Sequence, residues 1–472
     1  MIRRPLLPIL LTAMILSLLP PGHAASQPNI LFIYLDDFGW KDTSYMGSDF
    51  YETPHLDRLA REGMIFTDAY SCSANCAPAR ACHLSGQYTP RHRVFNVGTR
   101  PRGSAKHRRL QIPQSTTALE EEVTTWAEVL QKSGYRTGMF GKWHVGPDPT
   151  TQGFDVAVQH HKLRGFKGHY GPKGEYLADV LTDRTIEFIE ESKGGPWCAY
   201  LAHFGVHTPL HPKKDLLPKY EAKKPGQLHD HVVMATMIQA IDDGVGRLVE
   251  ALDRMGEREN TVIVFSSDNG GYGPATDMDP LWGYKGTYFE GGIRVPLFVN
   301  WPKTVKPGSR SGEPVIGVDF FPTFCGIVGA PLPDQPLDGR SLLPLLRGEV
   351  DTFGPRPIYW HFPAYLQSYQ VYDEQRDPLF RSRPVSVIRI GDYKLKEYFE
   401  DGHVELFNLK EDIRERKNLA KTMPEKRDAL YQQLRDWQKK TGAPRPEERN
   451  PQFDPAAEQE AIEKAMARMP RG

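Results

Sequence analysis

The side chains with the most chemistry to offer meet first in residues 71–86, SCSANCAPARACHLSG. Pro78 lacks an N–H and has a fixed φ, which suits the first turn of a helix, and residues 79–84 can carry that helix on. Cys76 then lies at or near the helix N-terminus, where partial positive charge favours an anion. Arg80 follows about one turn later on the same side and can point back at whatever Cys76 becomes. By itself the pattern fits a buried or disulfide-bonded cysteine equally well.

Four other stretches place reactive groups just after apolar runs. Asp36-Asp37 follow NILFIYL at 29–35, and Asp268-Asn269 follow TVIVFSS at 261–267. Continuous apolar runs of this length fit strands buried on both faces of a parallel sheet. Carboxylates there are costly unless they meet a cation, and open α/β sheets bind ligands beyond the carboxyl ends of their strands. Such oxygen groups suit Ca²⁺ or Mg²⁺; an isolated Asp-Asp reads otherwise as a helix cap and a solvated acid. Lys142 and His144, in GKWHVG, follow a predicted strand at 135–140 and share one face if the chain is extended. His207 follows a predicted strand at 196–204, and Lys285 sits in GYKGTYFEGGIRVP.

Together these stretches resemble the sulfatase family. Cys76-Ala77-Pro78-Ala79-Arg80 with Ser85-Gly86 resembles its C-x-P-x-R signature and following Thr/Ser-Gly pair, with Ala79 where Ser is common and His83 where Leu is usual. GKWHVG resembles its G-K-W-H-x-G motif, and His207 its P-H-x-P histidine, with Val206 in place of Pro. KGTYFEGGIRVP resembles its K-G-x-x-x-E-G-G-I-R-V-P segment. The motifs occur in family order, and the resemblance runs from Asn29 to about Ala420. It implies that a formylglycine-generating enzyme oxidises Cys76 to an aldehyde whose hydrate is the nucleophile. It implies one Ca²⁺ held by Asp36, Asp37, Asp268, Asn269 and the modified Cys76. It further implies that Arg80 holds the nucleophile and that Lys142 and Lys285 bind the sulfate. His144 would contact the formylglycine hydroxyl and help break down the enzyme-sulfate intermediate. His207 would contact the sulfate and act as acid toward the leaving oxygen. Glu290 and Arg294 read as a structural pair, and His203 as structural.

The implied fold is α/β and alkaline-phosphatase-like: a large, mostly parallel sheet sandwiched by helices, with a smaller C-terminal α+β subdomain. Predicted helices at 53–64, 123–133, 177–191 and 232–255 supply the layers. Short predicted strands at 357–361, 385–390, 393–399 and 404–409, then a helix at 424–441, form the second part. The expected domains are a catalytic domain at 25–348, an antiparallel-sheet subdomain at 349–445 and a loosely held extension at 446–472. Trp360 to Pro363 and Tyr365 read either as pocket wall or as core.

Composition bounds the partners. The 472 residues carry 59 Lys+Arg against 59 Asp+Glu, so no global charge argues for nucleic acid. The 42 glycines and 40 prolines fit a loop-rich globular enzyme. Arg3 and Arg4, an apolar run at 6–19 and Gly22-His23-Ala24 read as a signal peptide at 1–24. The run is short for a membrane span, and no cysteine follows the cut to take a lipid, so a periplasmic or secreted protein without a stable membrane anchor is expected. Oxidation of Cys76 would leave four of the five cysteines, whose pairing stays open, and the cluster lacks the paired Cys-x-x-Cys of a structural zinc site. The basic loops at 91–109 and 160–173 are rim candidates for a polyanion. An exported enzyme with basic loops suits a sulfated carbohydrate substrate, and the sequence looks like bacterial glycan sulfatases. Three rival readings remain: a phosphonate or phosphate ester hydrolase of the same superfamily, a non-catalytic sulfated-glycan-binding protein, and a disulfide protein built around Cys72, Cys76 and Cys82.

Overall fold

The computed structural model describes residues 27–146, 148–369 and 377–468; the signal segment expected at 1–24 lies outside them. Strand β1 (Asn29–Leu35) is the centre of the fold, and all seven of its residues are buried. Its side chains alternate between two cores, as a period of two requires. Ile30, Phe32 and Tyr34 pack into one, with Trp126 and Phe324. Leu31, Ile33 and Leu35 pack into the other, with residues of the helices Pro54–Arg61, Leu177–Glu191 and Val232–Met255.

The other strands of the main sheet are β2 (Met64–Phe66), β4 (Arg136–Gly141), β5 (Val156–Gln159), β6 (Trp197–Ala202), β7 (Thr261–Ser267), β8 (Leu297–Asn300) and β9 (Ser309–Ser311). A separate parallel pair joins β3 (Ala69–Tyr70) to β10 (Val315–Ile316). The order in the main sheet is β5-β4-β6-β1-β7-β8-β2-β9. Its first five strands are parallel, and β8 is antiparallel to both neighbours. Register does the functional work. Tyr34 lies opposite Ala202 and Ser266, and Ala202 lies opposite Gly141. The segments leaving β1, β4, β6 and β7 therefore emerge side by side at one sheet edge.

Local chemistry sets the helix limits. The helix expected from residue 123 begins at Trp126, because Thr125 and Glu128 form a reciprocal capping box there. The helix Cys76–Ser85 ends at Gly86, whose φ of 69° suits glycine.

The second part is a four-stranded antiparallel sheet, β11-β14-β15-β16, formed by β11 (Pro357–Phe362), β14 (Val385–Ile390), β15 (Tyr393–Tyr398) and β16 (Val404–Asn408). A hairpin of β12 (Leu366–Gln367) and β13 (Phe380–Ser382) was not expected. The helix Pro424–Thr441 buries Leu430, Leu434 and Trp437. Trp360 and Tyr365 prove to be core: they are 1% and 0% exposed, and the Trp360 indole N–H donates to the Ser71 carbonyl. The tail departs from the loosely held extension expected of it. It forms a helix, Pro455–Met466, capped by Asp454. Glu458 is buried and takes Arg109 at 3.0 Å and Arg383 at 2.9 Å. Composition rich in charge concealed these partners, one of which lies 349 residues away in sequence.

Several histidines are buried in neutral form. Burial pushes His92, His203 and His361 each down to about 3. The unfolded chain binds protons at these sites below about 6.5, whereas the folded chain does not. Their contribution to stability is thus present above that value and lost as pH falls toward 3. Denaturation midpoints measured across this window should decline steadily on acidification. A flat profile from pH 6.5 to 4 would contradict the neutral burial of these rings.

Candidate active site

Cys76 opens the helix Cys76–Ser85, is 2% exposed, and lines the floor of a cavity of about 870 Å³. Lys142, His144, His207 and Lys285 line the same cavity. Asp36, Asp37, Asp268 and Asn269 lie buried beside it, each at most 1% exposed. The structure thus brings together the residues that the sequence singled out.

Carboxylate oxygens of Asp36, Asp37 and Asp268 approach within 4.8 Å of one another, as do ligand atoms of Asp36, Cys76 and His207. Two buried acceptors in this cluster, Asp36 Oδ1 and Asn269 Oδ1, have no hydrogen-bond donor. Asn269 turns its amide N–H to Asp37 at 2.9 Å, which leaves its oxygen free. Buried acceptors without donors carry a large penalty. An all-oxygen set with such orphans fits a hard divalent cation. The carboxylates respond to this crowding in opposite directions. Burial would raise Asp36, but Lys142 above all, then His207 and Arg80, hold it well below the usual carboxylate range. Burial and the Asp36 charge push Asp268 well above that range, against Arg80.

Both lysines are already engaged. Lys142 Nζ donates to Asp36, and Lys285 Nζ lies 2.7 Å from Asp37. Burial would lower both ammonium groups, but Asp36 and Asp37 respectively raise them, so both remain charged. The β4 end approaches β6 closely: a Cβ at Gly141 would lie 1.8 Å from the Ala202 carbonyl, and Gly141 has φ +120°. Only glycine permits this approach, which sets Lys142 N–H 2.7 Å from that carbonyl.

One expectation is corrected by local geometry. Lys142 and His144 do not share an extended face: His144 has φ 71°, in the left-handed region. That turn, rather than strand alternation, brings its ring to the cavity. Arg80 is fully buried beside this cluster. Its guanidinium donates to Asp268 at 2.9 Å, to the Lys142 carbonyl at 2.9 Å and to Tyr200 at 3.3 Å. It fixes a candidate metal ligand and the lysine backbone together. His83, the departure from the family pattern, serves the same frame. It accepts from the Trp126 indole at 3.4 Å and meets the Tyr200 hydroxyl at 3.1 Å.

Two of the cavity histidines, His144 and His207, are held in different ways. Burial and then Lys142 push His144 down to about 3, so its imidazole is neutral at ordinary pH, and its Nδ1 has no partner. His207 Nδ1 lies 2.6 Å from the Thr208 carbonyl, an acceptor, so Nδ1 carries a proton. That leaves Nε2 as the working atom, 3.8 Å from Asp37. Glu290 and Arg294 do pair, 3.5 Å apart. His203 is buried with neither ring nitrogen bonded. No cysteine is disulfide-bonded: Cys72 accepts from the Val318 N–H, Cys82 lies 3.3 Å from His92, and Cys76 faces the cavity.

The cavity also includes residues that the sequence did not reveal: Asn75, Asn96, Thr117, Phe204, Tyr369 and Arg381. Asn75 donates to Asn96 at 2.9 Å, and His160 stacks on Phe204 at 4.6 Å. Of the two basic loops, only Arg102, His160 and His161 supply basic side chains to the wall.

This arrangement of fold and site is that of hydrolases with the alkaline-phosphatase-like architecture. The sulfatase family model matches residues 28–330, and a model described as N-sulphoglucosamine sulphohydrolase, C-terminal, matches residues 281–440. A sulfatase from Formosa agariphila is 32% identical, with 92% of this chain and 93% of that protein covered. An N-acetylglucosamine-6-O-sulfatase from Bacteroides thetaiotaomicron is 25% identical, covering 89% and 88%. The crystal structure of Ps i-CgsB in complex with k-i-k-neocarrahexaose superposes with a TM-score of 0.72 at 28% identity, covering 94% of this chain and 98% of that one. The chain belongs to the sulfatase family and is a sulfuric ester hydrolase.

Proposed function

We propose that the protein is an exported enzyme that removes sulfate from a sulfated glycan, using formylglycine made from Cys76 and one Ca²⁺. The observation that carries this reading is the convergence of Cys76, Lys142, His144, His207 and Lys285 on one cavity above a buried all-oxygen cluster. The relatives support the substrate class: one is named as an N-acetylglucosamine-6-O-sulfatase, and another was crystallised with a neocarrahexaose.

In this reading the Cys76 sulfur marks where the hydrated aldehyde stands. That group would supply one hydroxyl to displace the sugar oxygen from sulfur and a second whose deprotonation releases sulfate and restores the aldehyde. Asp36, Asp37, Asp268 and Asn269 would hold Ca²⁺, which supplies Lewis-acid polarisation of a sulfate oxygen. Lys142 and Lys285 present fixed positive charge to the sulfuryl oxygens as negative charge builds there. Arg80 keeps Asp268 and the Lys142 backbone in register. His144, neutral through burial, takes a proton from the nucleophile's hydroxyl side. His207, its Nδ1 anchored on Thr208, delivers a proton from Nε2 to the departing sugar oxygen.

The test is turnover of a small aryl sulfate beside an aryl phosphate diester. Protein made with an active formylglycine-generating enzyme and loaded with Ca²⁺ should favour the sulfate. Preference for the diester would replace this reading with the phosphonate or phosphate ester hydrolase. Glycan binding without sulfate release would replace it with the non-catalytic binder. Calcium binding has its own readout. At a free ion concentration about 100 times Kd, the folded state should gain roughly 2.7 kcal/mol. A denaturation midpoint indifferent to Ca²⁺ and to chelator would remove the ion from the scheme.

A further inference from the structure

The cavity is much larger than a sulfate group requires. Its roughly 870 Å³ lies at the upper end of the range of about 300–1,000 Å³ common for small-ligand sites. Its wall is one-sided in charge although the whole chain is neutral: among the described lining residues none is Asp or Glu. Four are Lys or Arg. Lys142 and Lys285 are committed to Asp36 and Asp37 at the floor. The other two, Arg102 and Arg381, have only neutral partners among the described residues.

Arg381 comes from the β12–β13 hairpin. Its Nε donates to the Gln367 carbonyl at 3.0 Å and its Nη1 to the Lys285 carbonyl at 3.2 Å. Its guanidinium stacks on the Tyr369 ring at 3.5 Å from the centroid. Gly286 makes this crossing possible, since a Cβ there would lie 2.7 Å from Leu366 and 2.9 Å from Arg381. The guanidinium is therefore fixed next to Lys285, with no carboxylate in an ion pair to it among the described residues. Arg102 reaches the same cavity from the basic loop, donating to the Val97 carbonyl at 3.1 Å. A fixed guanidinium stacked on an aromatic face is suited to planar, two-point recognition of an oxyanion.

We propose that Arg381 and Arg102 bind a second anionic group of the substrate, a sulfate or a carboxylate, so that the preferred substrate is a multiply anionic glycan. The proposal rests on the sulfatase reading for its reaction, but the binding it describes does not require turnover. A substrate with one sulfate leaves both guanidiniums unpaired in the bound state. A substrate with a second anion neutralises them, and the fixed geometry of Arg381 means little ordering is lost on contact.

The experiment is calorimetric titration of the full mature chain carrying Cys76→Ala, which cannot consume its ligand. Three disaccharides of one backbone are compared: one monosulfated, one disulfated, and one carrying a sulfate and a uronate. The expected result is at least about tenfold tighter binding of one or both doubly charged sugars, the order of one charge-assisted contact. Which of the two gains names the second anion. In Arg381→Gln and in the exposed Arg102→Gln the preference should shrink to within about twofold. Equal binding of all three sugars overturns the proposal, as does a preference that survives in both variants. Survival in one variant alone removes that arginine from the site. Aryl sulfate turnover by the wild-type chain is measured separately. Its absence with the preference intact sinks the proposed reaction, and its presence without the preference sinks this inference.

Discussion

Replacing Cys76 with Ala is expected to lower steady-state hydrolysis of an aryl sulfate by at least about four orders of magnitude, because the nucleophile itself is removed. The fold should persist, since position 76 opens a helix and alanine is acceptable there. Mass spectrometry supplies the independent readout. The wild-type peptide containing residue 76 should be lighter than its cysteine form by about 18 Da, the change from CH₂SH to CHO, and the Ala variant should show no such loss. Cys76→Ser separates the two half-reactions. A serine hydroxyl can attack sulfur, but it offers no second hydroxyl through which sulfate is expelled. This variant should release at most one leaving group per chain and gain about 80 Da as a stable sulfate ester. Sustained turnover by Cys76→Ser would show that the second hydroxyl is unnecessary, and the scheme built on the hydrate would fall. Unmodified Cys76 in fully active protein would do the same.

How far such chemistry was legible in the sequence depended on how local its cause was. The strands Asn29–Leu35 and Thr261–Ser267 were readable to the residue, because their apolar runs stop abruptly at the carboxylates they deliver. The long helix Val232–Met255 was equally plain, bounded by its periodic apolar face and by Gly256. Site residues inside short motifs were identified for the same reason. What failed was conformation that the motif does not encode. The left-handed φ of His144 replaces an expected alternation, and no motif reveals that the Arg80 guanidinium is tied to Asp268 just after β7. Tyr369 and Arg381 were invisible for another reason. The hairpin strands that hold them are two and three residues long, too short to show a period, and they reach the site by crossing over Gly286. The docked tail likewise depends on Arg109 and Arg383, which no local pattern links to Glu458. Motifs thus place the residues at the cavity floor, whereas long-range packing builds the cavity wall.

The second large effect concerns how the C-terminal sheet is held against the catalytic part. Lys394 on β15 is 0% exposed, as are its two partners: Glu290 at 2.9 Å and Glu415 at 3.2 Å. Glu290 also accepts from Tyr70 at 2.6 Å, and its N–H donates to Glu415 at 2.7 Å. Burial would raise the Glu290 carboxyl, but Lys394 foremost, then Arg294 and Arg389, hold it down to about 2. Lys394→Met removes one charge from a place water does not reach and leaves Glu290 with Arg294 at 3.5 Å and Glu415 with Lys396 at 3.3 Å. Breaking a buried pair costs up to roughly 3–5 kcal/mol, and here the remaining cations offset the desolvation of the two carboxylates only in part. Arg184→Met is the matched control. It breaks a 2.6 Å pair with Glu187 whose members are each 53% exposed, and the expected cost stays below about 0.5 kcal/mol. Denaturant midpoints of the two variants, read against wild type, decide the matter. Equal shifts would mean that water or a proton relieves Glu290 when Lys394 is gone. A large shift confined to Lys394→Met would establish that buried charge clamps the two parts together. Because Glu290 lies five residues beyond Lys285, the same clamp then steadies the segment that carries Lys285 to the cavity. Aryl sulfate turnover by Lys394→Met should therefore fall at temperatures well below its unfolding midpoint.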